Sequence, residues 1–198
     1  MKYEQFVARC QALAKIGRKY SKDPYALENY EELEAISGEM MSEITGVEKI
    51  NVFERDVYPT PSCSVRVVVF NDKKELLMVQ EKQDGGYAVP GGWNEIFDSL
   101  QETAIKEAQQ ETGLVIEVDR LLAIFQRERY KDYPTVLSEQ VHYFLGHVVA
   151  GEMKNNHEIL QVGYYNLNDL PELSRKNSKT ELATALKVAL EELPVFYD

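Results

Sequence analysis

Two glutamates one helical turn apart, Glu107 and Glu111, are the side chains of this chain best placed to do chemistry. On a helix they stand roughly 40° apart around the axis, with Gln110 on their other flank. Carboxylates at that spacing repel each other unless a cation stands between them. Hard cations such as magnesium take carboxylate oxygens together with substrate phosphates. The competing reading is a solvated acidic face, the ordinary situation of charged residues. Leu100, Ala104, Ile105 and Ala108 form an apolar arc beside the carboxylates, which puts them at the edge of a buried face.

The helix that must carry them is delimited by its own residues. Ser99 and Glu102 have the spacing in which each side chain satisfies an orphan amide of the first turn. Gly113 is the left-handed residue expected just past a helix end. The helix is therefore expected from about 99 to 112, with the glycine pair Gly91-Gly92 in the loop ahead of it.

Laid on this stretch, the pattern G-x5-E-x7-R-E-U-x-E-E-x-G-U, with U a bulky apolar residue, runs from Gly92 to Leu114. Gly92, Glu107, Glu111, Gly113 and Leu114 match it. Asp98 stands for the first Glu, Lys106 for Arg, Ala108 for the bulky residue and Gln110 for a Glu. With its lead-in Tyr87-Ala-Val-Pro90-Gly91-Gly92, the stretch resembles the box of the Nudix hydrolases. The resemblance implies that Glu107 and Glu111 hold magnesium or manganese, and that position 110 supplies a further ligand, here a glutamine carbonyl. It implies that Lys106 pairs with a box carboxylate, lacking the planar fork of Arg, and that the Gly91-Gly92 backbone positions the helix.

Around this centre the chain reads as two domains, 1-57 and 58-198. Phe6, Val7, Cys10, Leu13, Ala14 and Ile16 recur at helical period up to Gly17, which is expected to close the helix. Asp23 and Pro24 start a second helix, with Ala26, Leu27, Tyr30, Leu33, Ile36 and Met40 continuing the period to about Ile44. Such a hairpin has apolar stripes that two helices cover only in part, so it is expected to cover apolar surface of the catalytic domain or of a second subunit in a homodimer. Lys22-Asp-Pro-Tyr25, Tyr30-Glu-Glu-Leu33 and Tyr58-Pro-Thr-Pro61 are similar to the N-terminal domain of bacterial Nudix enzymes that hydrolyse X-linked nucleoside diphosphates, some known for CDP-choline or ADP-ribose. Tyr58-Pro-Thr-Pro61 cannot extend a helix and reads as the linker.

After the linker, Ser62 to Phe70 and Leu76 to Gln80 are expected as a β-hairpin turning at Asn71-Asp72. Beyond the box, Leu114 to Val118, Arg120 to Glu128, Gln140 to Val149 and Val162 to Leu167 read as strands, and Ser178 to Leu193 as a closing helix. Strands interrupted by one helix and ended by another fit an α+β fold, a Nudix-type mixed β-sheet sandwiched by helices behind a small helical hairpin domain. Arg66 and Arg127 could meet phosphate, or be solvated at strand ends. Tyr87 and Trp93 could stack a base, or pack at the rim. His142 and His147 point to opposite faces of one strand, so a shared metal is not expected. Among loop carboxylates that could assist hydrolysis, nothing selects Glu158 over Glu139 or Glu152.

Composition bounds the partners. The net charge is −11, from 22 basic and 33 acidic residues, which disfavours nucleic acid. Two cysteines and no long apolar run fit a reduced, cytoplasmic protein off the membrane. The expected activity is metal-dependent hydrolysis of a nucleoside diphosphate linked to another moiety. The rival is a Nudix-fold protein that binds a nucleotide without cutting it, which Gln110 favours. A DNA-binding regulator lacks a basic recognition helix here.

Overall fold

The computed structural model describes residues 3–46, 61–131 and 139–198. The chain divides into two compact units, Met1–Pro59 and Thr60–Asp198. The boundary expected after residue 57 and nearly all of the expected Tyr58-Pro-Thr-Pro61 linker lie outside the described residues.

The first unit is a hairpin of α1 (Tyr3–Tyr20) and α2 (Pro24–Thr45). Asp23 starts α2 by accepting the Tyr25 amide at 3.0 Å, and Gly46, at φ 71°, ends it by donating to Ser42 O. Gly17 does not stop α1 as expected; the helix continues to Tyr20. Its role is close approach, because a Cβ there would lie 2.3 Å from the Tyr30 ring. Arg18 and Lys15 of α1 pair with Glu34 of α2. Val7, Ala14 and Met41 are buried, while Phe6, Leu13, Ile16 and Tyr20 leave an exposed apolar stripe along α1.

The second unit has the α+β architecture expected, with its strands shared between two sheets. Its strands are β1 (Ser62–Val69), β2 (Leu76–Glu81), β3 (Tyr87–Ala88), β4 (Leu114–Gln126), β5 (Glu139–Gly151), β6 (Ile159–Tyr165) and β7 (Phe196–Tyr197); its helices are α3 (Leu100–Thr112) and α4 (Lys179–Leu190). A mixed sheet has the order β1-β5-β4-β7, and an antiparallel one the order β3-β2-β6. Ala104 and Ala108 of α3 pack on Val65, Val67, Val69 and Phe144. Leu182, Ala185 and Val188 of α4 pack with Val68, Phe125 and Tyr143. Alternate residues of β1 thus serve opposite layers.

The hairpin expected across Asn71-Asp72 does not form. Asn71 does make a turn, accepting the amides of Lys73 and Glu75, but only a single bridge, Phe70 to Leu76, joins the strands among the described residues. β1 instead pairs in parallel with β5. Its other edge is taken by the loop before α3, since Val65 N donates to Gly92 O at 2.9 Å and Val67 N to Pro90 O at 2.8 Å. With both edges occupied, β1 has no place for β2. The two strands expected on either side of Asp119 are one, β4, whose register shifts between Val118 and Arg120 as a bulge does. No helix among the described residues is long and apolar enough to cross a membrane.

Candidate active site

The helix of the box forms as its residues dictate. Glu102 N donates to Ser99 Oγ and Ser99 N to Glu102 Oε2, closing the capping box. Gly113, at φ 77°, donates to Gln109 O. So anchored, α3 turns Glu107 and Glu111 toward the glycine loop. Glu111, 3% exposed, accepts the Gly91 amide on Oε2 at 2.9 Å. A Cβ on Gly92 would lie 2.6 Å from the Glu107 carboxyl, so that group rests against bare backbone. Gly91 has φ 149°, and a Cβ there would meet Val65 O at 2.1 Å. Only glycine lets the loop pair with β1 on one side and touch two carboxylates on the other.

Two further residues complete this cleft, and sequence reading missed both. Glu81, buried at the end of β2, and Lys176, in the loop before α4, come from opposite ends of the second unit. Lys176 Nζ lies 2.8 Å from Glu81 Oε1 and 3.5 Å from Glu111 Oε1. The closer contact is an ion pair with a carboxylate that is itself buried. No local pattern marks either residue; only the register of β2 against β6 and the fold of residues 172–177 bring them to α3.

The remaining expected site residues are distributed unevenly. Lys106 turns to the loop, with Nζ 2.6 Å from Glu95 Oε2 and 3.6 Å from Asp98 Oδ2. Gln110 is exposed, and its backbone oxygen accepts from Asn156 Nδ2 at 2.8 Å. Asn156 in turn accepts the amides of Glu158 and Ile159. That tie holds the loop so that the Glu158 charge bears on Glu107. Of the other loop carboxylates, Glu152 is exposed and Glu139 is buried elsewhere. Arg66, 4% exposed, donates to Val65 O and Lys176 O beneath the glycine loop. Tyr87 meets Tyr165 edge-on at 5.1 Å, and Trp93 is half exposed. His142 is buried with Nδ1 near Ser64 O, while His147 is exposed beside Asp119.

Arg127 lies in a second, buried network. It is 3% exposed, with Nη1 2.8 Å from Glu139 Oε1 and Nε 3.8 Å from Glu181 Oε2. Ser64 Oγ donates to the same Glu139 oxygen at 2.6 Å, and Asn177 donates to the buried Tyr143 hydroxyl. Its guanidinium is thus engaged by carboxylates inside the protein.

Burial dominates the electrostatics of the two carboxylates at the glycine loop. Burial pushes the Glu111 carboxyl up to about 7, against the pull of Lys176 and the Gly91 amide and with help from Glu81. Burial also raises Glu107, opposed by Arg66, Lys176 and Lys106 and aided by Glu158. Carboxylates that are costly to ionise when alone attract a cation strongly. The donor set is all oxygen, and among the described residues no three carboxylate, histidine or cysteine side chains converge on one point. Two carboxylates with water in the remaining positions fit magnesium or manganese.

Comparison with known proteins identifies the family. Residues 60–186 match the NUDIX domain, and residues 2–54 match the UDP-X-like, N-terminal oligomerisation domain. A Bacillus subtilis protein named "Putative ADP-ribose pyrophosphatase YjhB" is 31% identical over 92% of this chain and 89% of its own. An ADP-ribose pyrophosphatase structure from Streptococcus suis is 30% identical, with TM-score 0.62 over 70% of this chain and all of that one. A UDP-X diphosphatase structure is 26% identical, with TM-score 0.66 over 98% of this chain and 97% of that one. Two domain matches in tandem and a relative aligned along nearly the whole length establish that this chain belongs to the Nudix hydrolase family and carries its UDP-X-like N-terminal domain.

Proposed function

We propose that the cleft at Gly91-Gly92 is a divalent-cation-dependent pyrophosphohydrolase centre acting on a nucleoside diphosphate joined to a second group, with ADP-ribose and CDP-choline as leading substrates. The observation that carries this reading is the meeting of Glu111 with the Gly91 amide and of Glu107 with Gly92, two carboxylates on one glycine loop. A cation bound there supplies charge neutralisation for the anionic diphosphate and acidifies water. Glu107 and Glu111 hold it, and Gln110 contributes from the exposed rim. Lys106 ties the loop of Glu95 and Asp98 to α3, and Arg66 supports the glycine backbone from beneath. Glu158, an exposed carboxylate whose charge bears on Glu107, accepts the proton of the attacking water. The oxygen of that water bonds to phosphorus as the P–O–P bridge breaks, yielding a nucleoside monophosphate and a phosphorylated second product. The relatives named for ADP-ribose and UDP-X support this substrate class.

The exposed stripe of Phe6, Leu13, Ile16 and Tyr20 is the surface through which we assign association into a homodimer, in keeping with the description of the matched N-terminal family. Replacing Leu13 and Ile16 together by Glu is expected to give monomers in sedimentation, with the fold retained.

The test of the activity is a screen of ADP-ribose, CDP-choline, nucleotide sugars and dinucleotides with magnesium and with manganese, analysing both products. Monophosphate release that stops in excess chelator is expected. Full turnover in chelator contradicts the metal dependence. Bound nucleotide without turnover favours the alternative, a nucleotide-binding protein, for which Gln110 in place of the box Glu speaks.

A further inference from the structure

Lys176 has a rigid root and a movable tip. Its amide donates to Ser174 Oγ at 3.1 Å, and its carbonyl accepts from Arg66 at 3.3 Å. Ser174 Oγ and the Arg175 amide both donate to Asp84 Oδ2, and Ser174 N donates to Tyr87 O. Gly86 lies so close that a Cβ there would be 2.5 Å from Ser174. Ser174 and Arg175 are thereby locked to the turn between β2 and β3 and to the start of β3, and Lys176 is bonded to Ser174. The Lys176 side chain, by contrast, is 33% exposed, while the Glu81 and Glu111 side chains it bridges are 5% and 4% exposed. The carboxylates cannot leave, but the ammonium, on a flexible four-carbon stem, can.

We propose that Lys176 is an exchangeable counter-ion of the active site: it neutralises Glu81 and Glu111 in the cation-free protein, yields Glu111 to a divalent cation, and then pairs with the substrate diphosphate. The exchange follows from like charge. The ammonium sits 3.5 Å from Glu111 Oε1, too close for a doubly charged ion to share that oxygen without strong repulsion. Once displaced, the fixed root keeps the tip within a stem's length of the cleft, where the newly arrived anion is the diphosphate. This inference rests on the proposed cation site but concerns only what Lys176 does there.

The test uses the full chain, with manganese alone as probe and no substrate. Lys176→Met is expected to bind manganese about tenfold more tightly by calorimetry, because a competing charge has gone. Its melting temperature is expected to fall in chelator and to match wild type in saturating manganese. Lys176→Arg is expected to keep the wild-type affinity, and Lys176→Gln provides the same reading should the Met variant not fold. With ADP-ribose, KM rises in the Met variant more than kcat falls. Unchanged or weaker manganese binding in both neutral variants overturns the inference, since Lys176 would then support the ion instead of competing with it. Wild-type protein that binds manganese and cleaves nothing overturns the proposed activity and leaves the exchange standing.

Discussion

Glu111 and Glu139 are buried alike, at 3% and 4% exposure, yet they are held in opposite ways. Burial raises both, but at Glu139 the Arg127 guanidinium at 2.8 Å and the Ser64 hydroxyl outweigh it, so its carboxyl ends below the ordinary range. Glu111 has one backbone amide, a more distant ammonium and a like charge in Glu81, so burial prevails. The difference teaches which of these two carboxylates is open to a visitor. A carboxylate already saturated by its own protein is architecture, whereas one left short of positive charge beside bare glycine backbone is a site. Arg66 stands between the two, donating beneath the glycine loop and repelled by Arg127.

The largest effects should separate the clusters by kind of loss. Glu107→Gln or Glu111→Gln is expected to lower kcat by about a thousandfold or more, since each removes a cation-holding charge worth several kcal/mol in the transition state. Urea unfolding should show little loss of stability in either. Arg127→Met should do the reverse. It takes from Glu139 and Glu181 the guanidinium they share, leaving Glu139 the Ser64 hydroxyl and the more distant Lys131, and unfolding is expected to show a loss of about 3–5 kcal/mol.

A smaller contrast lies in pH. Glu111 binds its proton more tightly folded than unfolded, so its contribution is present below about pH 4.5 and is lost as pH rises toward 7, by up to about 3 kcal/mol in chelator. Glu139, with its lowered pKa, contributes above its unfolded value and loses that contribution as pH falls through the folded one. Glu111→Gln should therefore flatten the decline of cation-free stability between pH 5 and 7, as read by thermal unfolding, and leave the acid limb in place. The same proton competes with a cation, so manganese affinity of the wild type should fall as pH drops below 7.

The smallest effect expected is at Gln110. Because it is exposed, an added carboxylate there is screened, and Gln110→Glu should tighten magnesium by about fivefold or less, on the order of 1 kcal/mol. An unchanged half-saturating concentration would mean that position 110 faces away from the ion.

What could be read in the sequence follows from range. The α3 caps, Ser99, Glu102 and Gly113, act within four residues, and the helix formed where they set it. Asp23 and Pro24 did the same for α2. Reading failed where a distant partner decided. Asn71 announces a turn, but the edge of β1 is taken by Pro90 and Gly92, so the hairpin is lost. Gly17 looks like a stop and is a contact point for Tyr30. In the site, Glu107 and Glu111 were legible from spacing on one helix, whereas Glu81 and Lys176 are joined to them only by tertiary structure. Arg66 and Arg127 were singled out by residue type, which does not reveal that Arg127 would find Glu139 and Glu181.

The central claim is that Glu107 and Glu111 at the glycine loop form the cation centre. Its most direct test is manganese binding to the full chain, followed by electron paramagnetic resonance at pH 8 for wild type, Glu107→Gln and Glu111→Gln. Wild type should quench the free-ion signal at a defined stoichiometry, and each variant, folded by circular dichroism, should leave that signal nearly whole. Binding as tight in both variants as in wild type would contradict the account.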